Sequence, residues 1–140
     1  MSCYDVAEQR HGAIQILEGN EEERLAQFIS YVAKLKGISA VLHRVVHAGY
    51  VQQNVARVSG DVVAAIRHWN HLAPLHNGLT LRLIDSLAEI MPEVSQFAVF
   101  DSGLYAHLPK VARCYALPAD LDSDWPVSRY GFHGLAHLSQ

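Results

Sequence analysis

Residues 38–47 read Ile38-Ser39-Ala40-Val41-Leu42-His43-Arg44-Val45-Val46-His47. The stretch is rich in Val and Ile and has few charges. A short aliphatic run of this kind predicts a strand buried inside a parallel sheet. Helical patterns lie on both sides of it. Asn20 followed by Glu21, Glu22 and Glu23 predicts a helix start: Asn20 caps, Glu23 takes the capping-box position, and the acids complement the positive helix end. Leu25, Phe28, Ile29, Val32 and Leu35 follow at helical spacing, and Gly37 ends that helix. Downstream, Ser59 or Asp61 opens a second helix with Val62, Val63, Ile66 and Trp69 on one face, and Pro74 stops it. Asn77 and Gly78 predict a turn. A third helix then carries Leu79, Leu83, Ile84, Leu87 and Ile90 inward until Pro92.

Residues 96–100 predict a second strand, ending at Asp101. Residues 109–116 predict a short helix, 117–128 a loop, and 128–133 a further strand turning at Gly134. Helix and strand alternate, so the fold class is α/β, a sheet covered by helices.

The chain has 140 residues, half of them hydrophobic, with a formal net charge of −3. That is one ordinary domain with enough apolar residues for a real core. Lys and Arg are scattered, so no nucleic-acid footprint is expected. Cys3 and Cys114 form no CxxC pair and no disulfide framework. Residues 1–12 are polar with no apolar core of a signal peptide. No apolar run reaches the roughly 20 residues of a membrane helix. The expected location is the cytoplasm, with no membrane partner.

Nine histidines are unusual for this length. HxxxH occurs at His43/His47 and at His133/His137. On a helix this spacing puts two rings on one face, where they can hold zinc. On a strand it separates them by roughly 13 Å, so His43 and His47 do not share a metal. Gly134 argues that a helix begins after His133. No metal ligands are assigned.

In open α/β sheets, ligands bind beyond the carboxyl ends of strands. Arg44 and His47 lie near the end of the first strand, Asp101 just past the second, His76 and Asn77 before the third helix, and His133 before Gly134. Each has a plainer reading. Arg44 serves equally as a buried ion-pair partner, His76 and Asn77 as turn or cap residues, Asp101 as an N-cap, and His133 as a core histidine. His68 and His71 read as the exposed side of the second helix, and His11 carries no assignment.

Five blocks resemble a known family. His43-Arg44-Val45-Val46-His47-Ala48-Gly49 resembles the acetate kinase signature HRVVHGG. Leu72-Ala73-Pro74-Leu75-His76-Asn77 is similar to its LAPLHNP, Phe100-Asp101-Ser102 to its FDT, and Tyr115-Ala116-Leu117-Pro118 to its YALP. Arg129-Tyr130-Gly131-Phe132-His133-Gly134 resembles RYGFHGTSH, with His137 at the final His. The resemblance spans about residues 38–140. It implies the ribonuclease H-like α/β core of the acetate and sugar kinase, Hsp70 and actin superfamily. The implied reaction is reversible phosphoryl transfer from ATP, with magnesium, to acetate, giving acetyl phosphate; propionate and butyrate kinases are relatives. The implied partners are a small carboxylate and ATP, and intact family members are expected to be homodimers.

By that resemblance, Arg44 holds the carboxylate or the transferring phosphoryl group, His133 donates to the phosphoryl oxygens, and His76 supports the same oxygens. Asp101 acts near the acetate oxygen or through magnesium. Val46, Leu75 and Phe132 match the family's pocket around the acetate methyl. Phosphoryl transfer depends on positioning and charge stabilisation, and a planar guanidinium suits both carboxylate and phosphate.

The match breaks in places. Ala48 replaces the first glycine of HGG, Gly78 the proline of HNP, Leu135-Ala136 a Thr-Ser pair, and Ser102-Gly103-Leu104-Tyr105 replaces TAFH. The family's Ser/Gly-rich first phosphate loop has no counterpart, nor has the later nucleotide domain with its adenosine site and magnesium-binding glutamate. Residues 1–140 therefore read as a partial, truncated kinase domain, expected to transfer phosphoryl groups poorly alone. The competing readings are a non-catalytic carboxylate- or phosphate-binding remnant of the same fold and a metal-dependent hydrolase using the histidines.

Overall fold

The strand anticipated from residue 38 forms over Ala40–Val45 (β3), and it is not buried on both faces. His43 and Val45 are buried, whereas Leu42 is 67% exposed and Arg44 is also exposed. The alternation follows from the pleat, which sends successive side chains to opposite faces. The structure, a computed structural model, describes residues 2–5, 10–14, 18–49, 54–118 and 127–139, the first two stretches as backbone. The chain divides into two compact units, Met1–Gly37 and Ile38–Gln140.

In the first unit, Ser2–Asp5 (β1) pairs antiparallel with Arg10–Ile14 (β2). This hairpin has no clear apolar alternation in the sequence and was not anticipated. Glu21–Val32 forms α1. Asn20 Oδ1 accepts from the Glu23 amide at 3.0 Å, and Glu23 Oε2 accepts from the Asn20 amide at 2.9 Å, completing the capping box. The helix ends before Leu35, because tighter i→i+3 bonds from Lys34 to Tyr31 and from Leu35 to Val32 close its last turn.

In the second unit, β3 is followed by Val55–Arg57 (β4), Gly60–His68 (α2), a 3₁₀ turn over Trp69–Leu72, Pro74–Ile90 (α3) and Ser95–Phe100 (β5). Short helices follow at Gly103–Ala106 (α4), Lys110–Arg113 (α5) and Gly134–Leu138 (α6). The sheet order is β3-β5-β4, with β3 parallel and β4 antiparallel to the central β5. His43 pairs with Ala98 and Val45 with Phe100. These four therefore share the face that packs on α2 and α3. Val45, Ala98 and Phe100 meet Ile66 of α2 and Leu81 and Ile84 of α3 to form the core. Arg44 points to the opposite face.

Ser59 caps α2, as anticipated: its hydroxyl accepts from the Val62 amide. Pro74 does not stop α2; it opens α3, and Asn77 and Gly78 lie inside that helix rather than in a turn. Proline suits a first helical position because the N–H it lacks would have no intrahelical partner there. β4 was not anticipated. Of the strand expected at 128–133, only a single bridge between Ser128 and Cys114 forms. Most of the expected 117–128 loop, residues 119–126, lies outside the described residues. Among the described residues no helix is long and apolar enough to cross a membrane.

Ile66 is fully buried within this core. Ile66→Val is expected to lower unfolding free energy by about 0.5–1.5 kcal/mol, read from urea midpoints; an unchanged midpoint contradicts the packing.

Candidate active site at the strand ends

β3 and β5 run parallel and end side by side, which places the next residue, Asp101, beside the end of β3. The Asp101 amide donates to the Val45 carbonyl at 2.9 Å, extending the strand pairing by one residue. Arg44 Nε donates to Asp101 Oδ2 at 2.7 Å, and Arg44 Nη2 lies 2.6 Å from the same oxygen. The Asp101 side chain is 1% exposed and that of Arg44 56% exposed. An ionised carboxylate buried this far requires a counter-charge. Arg44 supplies it and still presents much of its guanidinium to solvent. The ion-pair reading and the ligand-binding reading of Arg44 therefore describe two edges of one group.

The loop before α6 reaches the same place. Arg44 Nη2 donates to the Phe132 carbonyl at 3.4 Å, and the Gly134 amide donates to the Asp101 carbonyl at 3.1 Å. A Cβ on Gly134 would fall 2.0 Å from that carbonyl oxygen, so only glycine permits the approach. Gly131 packs as tightly against the ring of Tyr105. Tyr105, which replaces a histidine in the motif comparison, thus serves as a packing surface for the loop.

α3 is fastened to the same strand end. The Thr80 hydroxyl lies 3.1 Å from the carbonyl oxygens of both Arg44 and His76. The Asn77 side-chain amide donates to the His47 carbonyl. Asn77 is fully buried and His47 nearly so. Sequence reasoning took Asn77 for a turn residue and assigned His47 no role. The signal was available for Asn77: once α3 begins at Pro74, Asn77, Thr80, Leu81, Ile84 and Leu87 fall on one buried helical face.

The remaining candidates are less gathered. His76, in the first turn of α3, is exposed, and its backbone reaches Arg44 through Thr80. His133, at the start of α6, is exposed and directly follows Phe132. Val46 is buried, Phe132 partly exposed, and Leu75 86% exposed, so the three do not form an enclosed pocket here. His68 is exposed at the end of α2, and His71 lies in the 3₁₀ turn, stacked on Trp69. A groove with roughly 420 Å³ of room opens at the other end of the sheet, lined by Arg57, Ser59, Asp85 and Ser95. This groove and the polar cluster therefore do not coincide.

Two buried imidazoles are held neutral. Burial lowers the pKa of His43, partly offset by its 2.7 Å hydrogen bond with Gln96. Burial, and then the nearby His71, lower that of His47.

Asp101 is the one carboxylate in the cluster, and its Oδ2 is taken by Arg44. Among the described residues no three His, Cys, Asp or Glu side chains converge on a possible metal position. The described residues do not fit a protein-held magnesium site, because one engaged carboxylate leaves nearly every ligand to water and phosphate.

The acetokinase family model matches residues 6–139. The chain is 45% identical over 103 residues to an acetate kinase of Thermosynechococcus vestitus, a match covering 74% of this chain and 25% of that protein. It is 35% identical over 122 residues to an acetate kinase of Thermosipho melanesiensis, covering 87% and 29%. Its fold matches a propionate kinase from Francisella tularensis with a TM-score of 0.68 at 34% identity, covering 83% of this chain and 30% of that one. It matches the acetate kinase of Porphyromonas gingivalis with a TM-score of 0.67 at 35% identity, covering 80% and 30%. The chain thus spans about a quarter to a third of the length of these relatives.

Two outcomes follow from this geometry. His43 and His47 have folded pKa values below the ordinary 6.5. The unfolded chain therefore takes up protons first as pH falls, so stability is full above 6.5 and declines from there toward the lowered values. Urea midpoints between pH 7.5 and 5 should show that decline, and a midpoint that rises over this window contradicts it. Gly134→Ala should cost about 1–3 kcal/mol through overpacking against the Asp101 carbonyl, read in the same assay.

Proposed function

The chain belongs to the acetokinase family, and from that premise we propose that its Arg44 cluster binds the acyl substrate in phosphoryl transfer between ATP and a short carboxylate such as acetate. The observation that carries this reading is the state of Arg44. Its Nε and Nη2 are anchored on a buried carboxylate, while the side chain remains more than half exposed. Such a guanidinium is oriented before any ligand arrives, so little rotamer entropy is lost on binding. The remaining N–H groups of its guanidinium suit a carboxylate or phosphoryl oxygen.

Phosphoryl transfer passes through a state with negative charge spread over equatorial oxygens, and catalysis is mostly positioning and electrostatics. In this reading Arg44 is the group that touches substrate. Asp101 is its positioning residue, fixing the guanidinium plane. His133, which follows Phe132 in the chain, and His76, in the first turn of α3, both exposed, donate hydrogen bonds to the phosphoryl oxygens. Phe132 lies against the acyl chain, with Val46 and Leu75 as the further apolar contacts. Magnesium carried by the nucleotide would neutralise charge at the phosphates, with no ligand set from the described residues.

The test is calorimetric binding of acetyl phosphate to the 140-residue protein, with acyl phosphate formation from Mg·ATP and acetate, propionate or butyrate assayed in parallel. Arg44→Ala is expected to weaken binding about 10- to 100-fold, the worth of one or two charge-assisted hydrogen bonds. Because that variant leaves Asp101 without its counter-charge, Arg44→Lys is run beside it. It keeps the charge, loses the fork, and should fall between the two. Failure of the folded wild-type protein to bind acetyl phosphate at millimolar concentration would sink the reading. Arg44-dependent binding without turnover would favour a binding module over a transferase.

A further inference from the structure

We infer that His47 is a positioning residue of this site: its imidazole holds Tyr130 and Phe132 where the Phe132 carbonyl meets Arg44, and adding a proton to that ring releases them and weakens the grip on the acyl substrate. The inference rests on the acyl-site reading of Arg44.

His47 is 2% exposed, and three aromatic rings meet it edge-on. Tyr130 lies at 5.1 Å and 73°, Trp69 at 5.4 Å and 71°, and Phe132 at 5.6 Å and 75°. Its main chain is fixed by the buried Asn77, whose side chain donates to the His47 carbonyl. Contacts therefore run without a gap from α3 through Asn77, His47 and Phe132 to Arg44. The far side of the loop is pinned by Gly131 on Tyr105 and Gly134 on Asp101. His47 is the one imidazole in this run of contacts.

Among the described residues a proton on this ring finds no acceptor. Nδ1 is buried and makes no hydrogen bond to any described residue, and an imidazolium needs acceptors for both nitrogens. Among the described residues the titratable groups around it are His71 of the 3₁₀ segment, His68 at the end of α2 behind Trp69, and Tyr130 from the loop; α3 contributes the uncharged Asn77. None of these is an anion. The surrounding rings offer some cation–π attraction, yet burial is the largest influence on His47 and favours the neutral ring. Protonation is therefore accommodated by moving the ring toward water, and the loop that packs on it moves too.

The test uses the labelled full chain titrated from pH 7.5 to 5. Imidazole signals are followed by NMR, with His47 identified in the wild type by its proximity to Tyr130 and Phe132 and checked with His47→Gln. The ring protons of Phe132 and Tyr130 are recorded without ligand. Acetyl phosphate affinity is then measured at each pH for wild type, His47→Gln and His71→Gln, so that the ligand's own titration cancels between proteins. The Phe132 and Tyr130 signals should follow the His47 titration. His47→Gln should bind about tenfold more weakly than wild type at pH 7.5, a ratio that shrinks toward one as wild-type His47 protonates, while His71→Gln, which removes one cause of the lowered His47 pKa, moves that change to higher pH. Ring signals indifferent to His47, or a His47→Gln that binds like wild type throughout, overturn the inference. If no folded protein binds acetyl phosphate but the Phe132 ring still follows His47, the acyl reading fails and the loop coupling stands.

Discussion

The carboxylate of Asp101 sits almost entirely out of water at the end of the central strand, and most of the site geometry answers to that burial. An uncompensated charge at such a position costs several kcal/mol, whereas an exposed ion pair gains at most about one. The pair with Arg44 is therefore best understood as compensation for burial rather than as a source of stability. Its consequence is orientation. Two nitrogens of one guanidinium converge on one oxygen, which fixes the plane of a cation whose other edge faces solvent. The backbone around Asp101 is engaged as well, its amide by the Val45 carbonyl and its carbonyl by the Gly134 amide.

Around this pair the sheet divides its labour by face. His43, Val45, Ala98 and Phe100 turn toward α2 and α3, while Arg44 turns away. Polar links then carry the order of the packed face across to the open one. Thr80 reaches the carbonyl of Arg44, and Asn77 reaches that of His47. Substitutions that looked disruptive against the kinase motifs are absorbed by this packing. Ala48 joins the core beside Val45, and Tyr105 lies against the glycine of the aromatic loop.

The sequence by itself determined the starts of α1 and α2, the two parallel strands and the residue types at the site. These signals are local: Asn20 and Glu23 cap each other within one turn, Ser59 caps its own helix, and the aliphatic runs of β3 and β5 have no helical period. The motif blocks also carried the family, since their order along the chain needs no coordinates to read. Only the tertiary structure decided which groups meet. Pro74 breaks a helix or begins one equally well by its chemistry, and the packing of Leu81 and Ile84 on the sheet made it a beginning, which turned Asn77 inward. The exposure of Leu42 depends on what covers its face, information that no run of aliphatic residues contains. His47 looked like one histidine of nine until rings from the 3₁₀ segment and from residues 130–132, more than twenty and more than eighty positions away in the chain, closed around it. Burial is set by such long-range neighbours, and burial is what gives Asp101 its need for Arg44 and His47 its neutral ring.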